Sequence, residues 1–296
     1  MGLKDKLKNR KVDLKAKQPK LNILIYGQSG VGKTILSATA SKLDGNTFLI
    51  SSESGLVGVS NKKFKDQIDT EKITAYAIDN FIDFNEYYEF LSEHCELVMQ
   101  YDAATGEAKE KLADKIWELE DGGKRPKGKK PTIYRTVVID SLTEAQKRSM
   151  DRIIDSKNKV KSGGSFGGGI DFEKATATLQ DYGVNTQQMR KLVRAFRELP
   201  MNIIFIALES ELKDDVTGEV TVGPALTAKL SSDVVTYVDI IGRLYTQKNQ
   251  DGKLDRKLLL QPYSKYIAKD RTGLLGIGLT NPTIKTIVDK INEGGN

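Results

Sequence analysis

Gly27-Gln28-Ser29-Gly30-Val31-Gly32-Lys33-Thr34 completes the pattern G-x-x-x-x-G-K-S/T, and its neighbours on both sides give it a setting. Leu21-Asn22-Ile23-Leu24-Ile25-Tyr26 before it reads as a buried strand, and Ile35 to Leu43 after it as a helix. Closely spaced glycines let backbone N–H groups turn inward around a triphosphate, and the helix N-terminus adds partial positive charge. On this reading Gly27, Gln28, Ser29, Gly30, Val31, Gly32, Lys33, Thr34 and Ile35 form the nucleotide cradle. Lys33 neutralises the β- and γ-phosphates and the Thr34 hydroxyl holds Mg2+. The plain alternative, a glycine-rich turn before a core helix, does not need the whole pattern in a strand–loop–helix context. ATP and Mg2+ are the expected ligands, since no Asn-Lys-x-Asp guanine-reading motif occurs in the chain.

Two further elements bear on that site. Val137-Val138-Ile139-Asp140 is an apolar strand ending in a carboxylate, which places Asp140 beside Thr34 as the second Mg2+ holder. Asp at a strand end also caps following helices, so this element gains its meaning from the phosphate loop. The next residue is Ser141 and not Glu, so a carboxylate that polarises water must come from elsewhere. Glu53, directly after the strand Thr47 to Ile50, is the candidate, against the alternative of an exposed acidic loop residue. Near the C-terminus, Lys269 and Arg271 stand two apart on an extended segment and face the same way. They form either an ordinary basic turn or a pair delivered to a neighbouring subunit's phosphates.

Composition sets limits. A chain of 296 residues can bury a substantial core. No apolar run approaches the roughly 18 residues a membrane span needs, so a cytoplasmic protein is expected, in the host cytoplasm if phage-encoded. One cysteine, Cys95, rules out an internal disulfide, and one histidine, His94, makes histidine metal clusters and Ser-His-Asp triads unpromising. Both lie in an apolar-periodic helix from Phe81 to Val98, where packing is the expected role. Residues 1–20 hold eight basic groups against Asp5 and Asp13 and account for the whole net charge of +6. This basic arm could grip a nucleic-acid backbone, contact a neighbouring subunit, or only aid solubility.

Strands alternate with helices along residues 21–296, which predicts one α/β domain with a mainly parallel sheet flanked by helices. Further strands are expected at Ile73 to Ile78, Ile133 to Ile139 and Asn202 to Leu208, and helices at Thr143 to Ile154, Asp171 to Leu199 and Pro282 to Ile291. Residues 101–131 read as an inserted charged segment with a helix from Ala108 to Leu119 and a basic loop. The Lys/Gly/Ser-rich stretch from Asp155 to Ile170 reads as mobile. A C-terminal β-hairpin turns at Asn249-Gln250-Asp251-Gly252.

The phosphate loop, Leu49-Ile50-Ser51-Ser52-Glu53, Val138 to Thr143 and Lys269 to Gly273 follow one another as in RecA-type ATPases. Gln180-Asp181-Tyr182-Gly183, Arg194 to Pro200 and Gly218 to Pro224 more particularly resemble phage nucleotide-binding proteins of the Sak single-strand-annealing group. The resemblance covers about residues 20 to 280 and implies a RecA-like P-loop core. It implies a DNA-stimulated ATPase acting on single-stranded DNA in phage recombination or replication, by annealing or as a recombinase. Glu53 matches the RecA-type catalytic glutamate, and Lys269 and Arg271 are similar to the trans-acting finger of hexameric helicases. The implied partners are single-stranded DNA, further copies in a ring or filament with ATP at subunit interfaces, and a single-strand-binding protein. DNA contacts would come from Lys157, Lys159, Lys161 and Phe166, and from the region bounded by Lys213 and Lys229; both stretches could equally be connectors. A hexameric helicase-like motor, a helicase loader, and an ATP-gated DNA-binding protein with little turnover are the other readings. Two features depart from the RecA pattern: Ile206-Ala207-Leu208-Glu209 offers a polar sensor only at its end, and the 101–131 segment has no counterpart.

Overall fold

The computed structural model describes residues 20–52, 56–161, 176–213 and 218–294. The chain order is β1 (Asn22–Gly27), α1 (Lys33–Ala38), β2 (Asn46–Ser51), β3 (Ile73–Ala77), α2 (Asp83–Ala103), α3 (Gly106–Asp121), β4 (Tyr134–Asp140) and α4 (Leu142–Lys161). There follow α5 (Leu179–Glu198), β5 (Asn202–Lys213), β6 (Val220–Pro224), α6 (Ala228–Tyr237), β7 (Ile240–Lys248), β8 (Leu254–Leu259), β9 (Lys269–Asp270), β10 (Gly278–Thr280) and α7 (Ile284–Gly294).

The central strands are apolar at consecutive positions because both of their faces are covered. Leu24, Tyr26, Phe48, Ile50, Val137, Ile139, Ile203 and Phe205 point into one core, packed by α2, α5 and α6 through Leu91, Phe196 and Val234. The alternate residues Ile23, Ile25, Leu49, Val138, Ile204 and Ile206 point into the other, covered by Leu36 of α1 and by Ile284, Ile287 and Ile291 of α7. The sheet runs β10-β8-β7-β1-β5-β4-β2-β3, with β6 added to β5 and β9 to β7. From β7 to β3 neighbouring strands are parallel, whereas β8 and β10 are antiparallel. The fold is thus the expected α/β P-loop core with a C-terminal hairpin, which turns between β7 and β8.

Several element boundaries differ from the expectation. The helix expected from Asp171 begins at Leu179, where Thr178 and Asp181 form a reciprocal capping box; residues 171–175 lie outside the described residues. The helix expected to end at Ile154 continues to Lys161, so the first part of the stretch read as mobile is helical. The strand expected to end at Leu208 runs on to Lys213 and pairs with β6, so part of the region from Lys213 to Lys229 that the resemblance gives as a DNA-binding loop is strand. In the inserted segment α3 buries Ala113 and Ile116, and Arg125 of the basic loop reaches back to Glu110 and Asp114 at 2.5 and 2.7 Å. Lys20, counted with the arm, donates to the Arg197 and Leu199 carbonyls at the end of α5, at 2.8 and 3.0 Å; residues 1–19 lie outside the described residues.

Cys95 and His94 are buried packing residues. Burial pushes the Cys95 thiol up to about 12. His94 sits against the Tyr134 and Phe90 rings with Nε2 3.1 Å from the Thr132 carbonyl oxygen. Burial lowers its pKa below the ordinary 6.5, so the fold favours the neutral ring. The stability gained from keeping that ring neutral is complete above pH 6.5 and is lost as pH falls toward the folded-state value. Urea unfolding from pH 8 down to pH 5 should therefore show a loss of stability below about pH 6.5 that is reduced in His94→Gln. An identical decline in the variant would remove His94 as its source.

Candidate nucleotide site

A parallel sheet brings the C-terminal ends of its strands to one edge, and that edge holds the site. Gly27 of β1 is in register with Leu208 of β5, and Ser51 of β2 with Asp140 of β4. The phosphate loop leaves β1 at this edge and ends in α1. Gly27 cannot be exchanged for a larger residue, because a Cβ there would run into the Leu244 carbonyl oxygen of β7. Gly32 caps α1 with φ +93 and ψ +31, a left-handed conformation that glycine accepts without strain.

Lys33 is buried, and its Nζ donates to the Gly27 and Gln28 carbonyls at 3.0 and 2.8 Å, folding back over its own loop. The Thr34 hydroxyl donates to Asp140 Oδ2 at 2.5 Å. Around these groups lies a cavity of about 270 Å3 lined by the loop, Ile35, Gly58, Val59, Asp140, Ser141 and Leu208. Ser52 adds its amide, donating to the Asp140 carbonyl at 2.6 Å. Its buried hydroxyl has no partner among the described residues. A hydroxyl, a buried carboxylate and an ammonium held by loop carbonyls are the donor set that Mg2+ and a polyphosphate require, so the residues present fit both.

Glu53 lies outside the described residues, directly after Ser52. Glu209, the expected sensor position, is taken up by Arg243: Nε and Nη2 donate to its carboxylate at 2.6 and 3.2 Å, and the guanidinium lies 3.8 Å from the Tyr266 ring centroid. Both partners are largely buried, and removing one alone would cost about 3–5 kcal/mol.

Lys269 and Arg271 do not approach their own chain's phosphate loop. Lys269 pairs with Ile241 of β7, toward the end of β1 opposite the loop. Its Nζ donates to the Val235 and Val238 carbonyls, both at 2.8 Å, and Arg271 donates to Asp239 at 2.8 Å and to the Thr236 carbonyl at 3.1 Å. The final carbonyls of α6 lack helical partners, which explains why two cations gather there. Burial lowers the Lys269 pKa.

The residues expected to touch DNA are dispersed. Lys157 forms an ion pair with Asp181, and with the Thr178 donors it holds that carboxyl down to about 2. Lys157 thus closes the α4–α5 contact and is not a free phosphate ligand, a correction to the expectation. Lys159 and Lys161 fall within α4 and not in a loop; their side chains, and Phe166 entirely, lie outside the described residues. Lys213 ends β5 and Lys229 opens α6, both exposed. The sequence reading missed Arg256 of β8, whose Nη1 comes within 3.2 Å of where a Gly32 Cβ would stand. No motif marks it, since only the β7–β8 pairing carries it to the loop.

Replacing Gly32 by Ala would force a side chain into the left-handed region at a cost of about 1–2 kcal/mol and crowd Arg256. Affinity of Gly32→Ala for ATP, by calorimetry, should fall at least about tenfold if that strain is relieved by distorting the cradle. Unchanged affinity would show that the loop's conformation is not what holds the phosphates.

Among solved structures the chain is similar to the flagellar accessory protein FlaH from Methanocaldococcus jannaschii, at 11% identity over 82% of this chain and 79% of that one, TM-score 0.36. It is also similar to the RadB recombinase, at 12% identity over 81% and 80%, TM-score 0.34. Both likenesses are too slight to assign a role. Comparison with curated proteins gives no match. A family model described as an AAA domain matches residues 19–272, nearly the whole described core with its phosphate loop and Asp140: the chain belongs to the AAA_24 family of AAA domains.

Proposed function

We propose that the protein is a Mg2+-dependent ATPase of RecA-like type that acts on single-stranded DNA in phage recombination or replication. The observation that carries the ATPase part is the Thr34–Asp140 contact beside the folded-back Lys33. Hydroxyl, carboxylate and ammonium stand together at one edge of the sheet, a set suited to a metal-bound triphosphate. Mg2+, when bound, supplies charge neutralisation for the phosphates. Lys33 would exchange the Gly27 and Gln28 carbonyls for phosphate oxygens. Glu53, the residue after Ser52 in the sequence, would orient water.

The DNA part rests on the sequence resemblance and on the basic residues, with the N-terminal arm as a further source of positive charge. Subunit interfaces would carry ATP, with a neighbour's Lys269 and Arg271 completing the site. Those two cations lie away from their own phosphate loop, and the Arg271 side chain is 55% exposed, which suits a role between copies. A finger role requires them to release the α6 carbonyls and Asp239.

No membrane role is proposed; among the described residues no helix is long and apolar enough to cross a bilayer. A helicase-like motor would require strand separation driven by hydrolysis, and an ATP-gated binding protein would hold nucleotide with little turnover. ATP hydrolysis with and without single-stranded DNA, over a salt series, tests the proposal. Stimulation that fades with salt and is lost in Lys33→Ala is the expected result, with Glu53→Gln keeping nucleotide but losing turnover by a factor of about 100 or more. Hydrolysis indifferent to DNA would contradict the DNA reading while leaving the ATPase intact.

A further inference from the structure

The phosphate cavity accounts for only part of a nucleotide. Its lining ends at Ile35, Gly58 and Val59, and Arg256 stands just outside it, on the far side of Gly32. The Arg256 backbone is fixed by Asn281: its N–H donates to Asn281 Oδ1 at 2.9 Å, and the Asn281 N–H donates to its carbonyl at 2.7 Å. The side chain is therefore launched from a rigid position. Its Cδ and Nη1 pass 3.3 and 3.2 Å from the place a Gly32 Cβ would occupy, and its guanidinium carbon lies 5.3 Å from the centroid of the Phe64 ring.

Among the described residues the guanidinium makes no ion pair and no side-chain hydrogen bond, and the adjacent Asp255 carboxylate is taken by Asn281 Nδ2 at 3.0 Å. Burial lowers its pKa. A half-buried, planar cation beside the loop can receive a ligand's π face or acceptor. Four features favour a π face. The group lies outside the phosphate cavity, Gly32 intervenes, Lys33 and the loop amides already serve the phosphates, and the guanidinium is planar and backed by an aromatic ring.

We propose that Arg256 is the nucleoside-recognition residue of the site, its guanidinium stacking on the base of the nucleotide whose phosphates occupy the Lys33–Asp140 cavity. The separation from Phe64 is too short to admit a base between them, which would need about 7 Å, so Phe64 serves as backing. The gain comes from cation–π attraction. This assignment rests on the ATP-binding reading of the cavity.

Calorimetric titration of the full chain with ATP, ADP and inorganic tripolyphosphate at fixed Mg2+ tests it in the wild type, Arg256→Ala and Arg256→Lys. Arg256→Ala should weaken ATP and ADP about tenfold and leave tripolyphosphate unchanged. Arg256→Lys should recover little, because an ammonium keeps the charge but not the plane. The unfolding midpoint should fall only slightly in both, since the side chain makes no ion pair or hydrogen bond to a described residue and the packing lost is that against Phe64. Equal weakening of tripolyphosphate would overturn the assignment in favour of a phosphate contact, and an unaltered ATP affinity would overturn it outright. A wild-type chain that binds no ATP would remove the underlying site reading as well, a result distinct from either.

Discussion

The Asp140 carboxylate, buried at the end of β4, receives the Thr34 hydroxyl from 106 residues earlier in the chain. A buried carboxylate without donors would be several kcal/mol out of balance, so this contact constrains everything near it. β4 must reach the edge where the phosphate loop leaves β1, and β5 must lie between them in register. Parallel pairing meets both demands because it puts all the strand ends on one side. The helices that this connectivity requires then cover both faces, and their apolar stripes become the two cores.

The core and the phosphate cradle were legible in the sequence for this reason. The apolar runs Ile23 to Tyr26 and Val137 to Ile139, each bounded by the loop pattern or by a carboxylate, read as strands covered on both faces. The loop pattern is a local object whose glycines answer local needs, close approach at Gly27 and a left-handed turn at Gly32. Asp140 could be paired with Thr34 in advance because strand direction alone fixes where a strand's last residue goes.

What escaped was set by long-range pairing. Nothing local announces that α4 continues through Lys157, because lysine-rich sequence reads as solvated until Asp181 is seen to receive it. The start of α5 depends on the Thr178–Asp181 capping box, whose short span was hidden in a longer helical pattern. The stretches that carried the phage resemblance also have structural work here. Asp181 caps a helix, Arg197 and Leu199 offer the carbonyls that Lys20 bonds, and Gly223 lies in β6 where a Cβ would press on Ile267. Such motifs specify a way of folding before they specify a substrate. Arg256 was invisible for a similar reason: its meaning comes from a hairpin folding back beside a loop more than two hundred residues earlier.

The central claim is that Thr34 and Asp140 together form the metal-binding unit for the nucleotide. ATP affinity measured with Mg2+ and with the metal chelated, in the wild type and in Asp140→Asn, addresses it most directly. The account predicts that chelation weakens the wild type to about the level of the variant, while the variant responds little to Mg2+. Equal affinities and equal Mg2+ responses in the two proteins would contradict it.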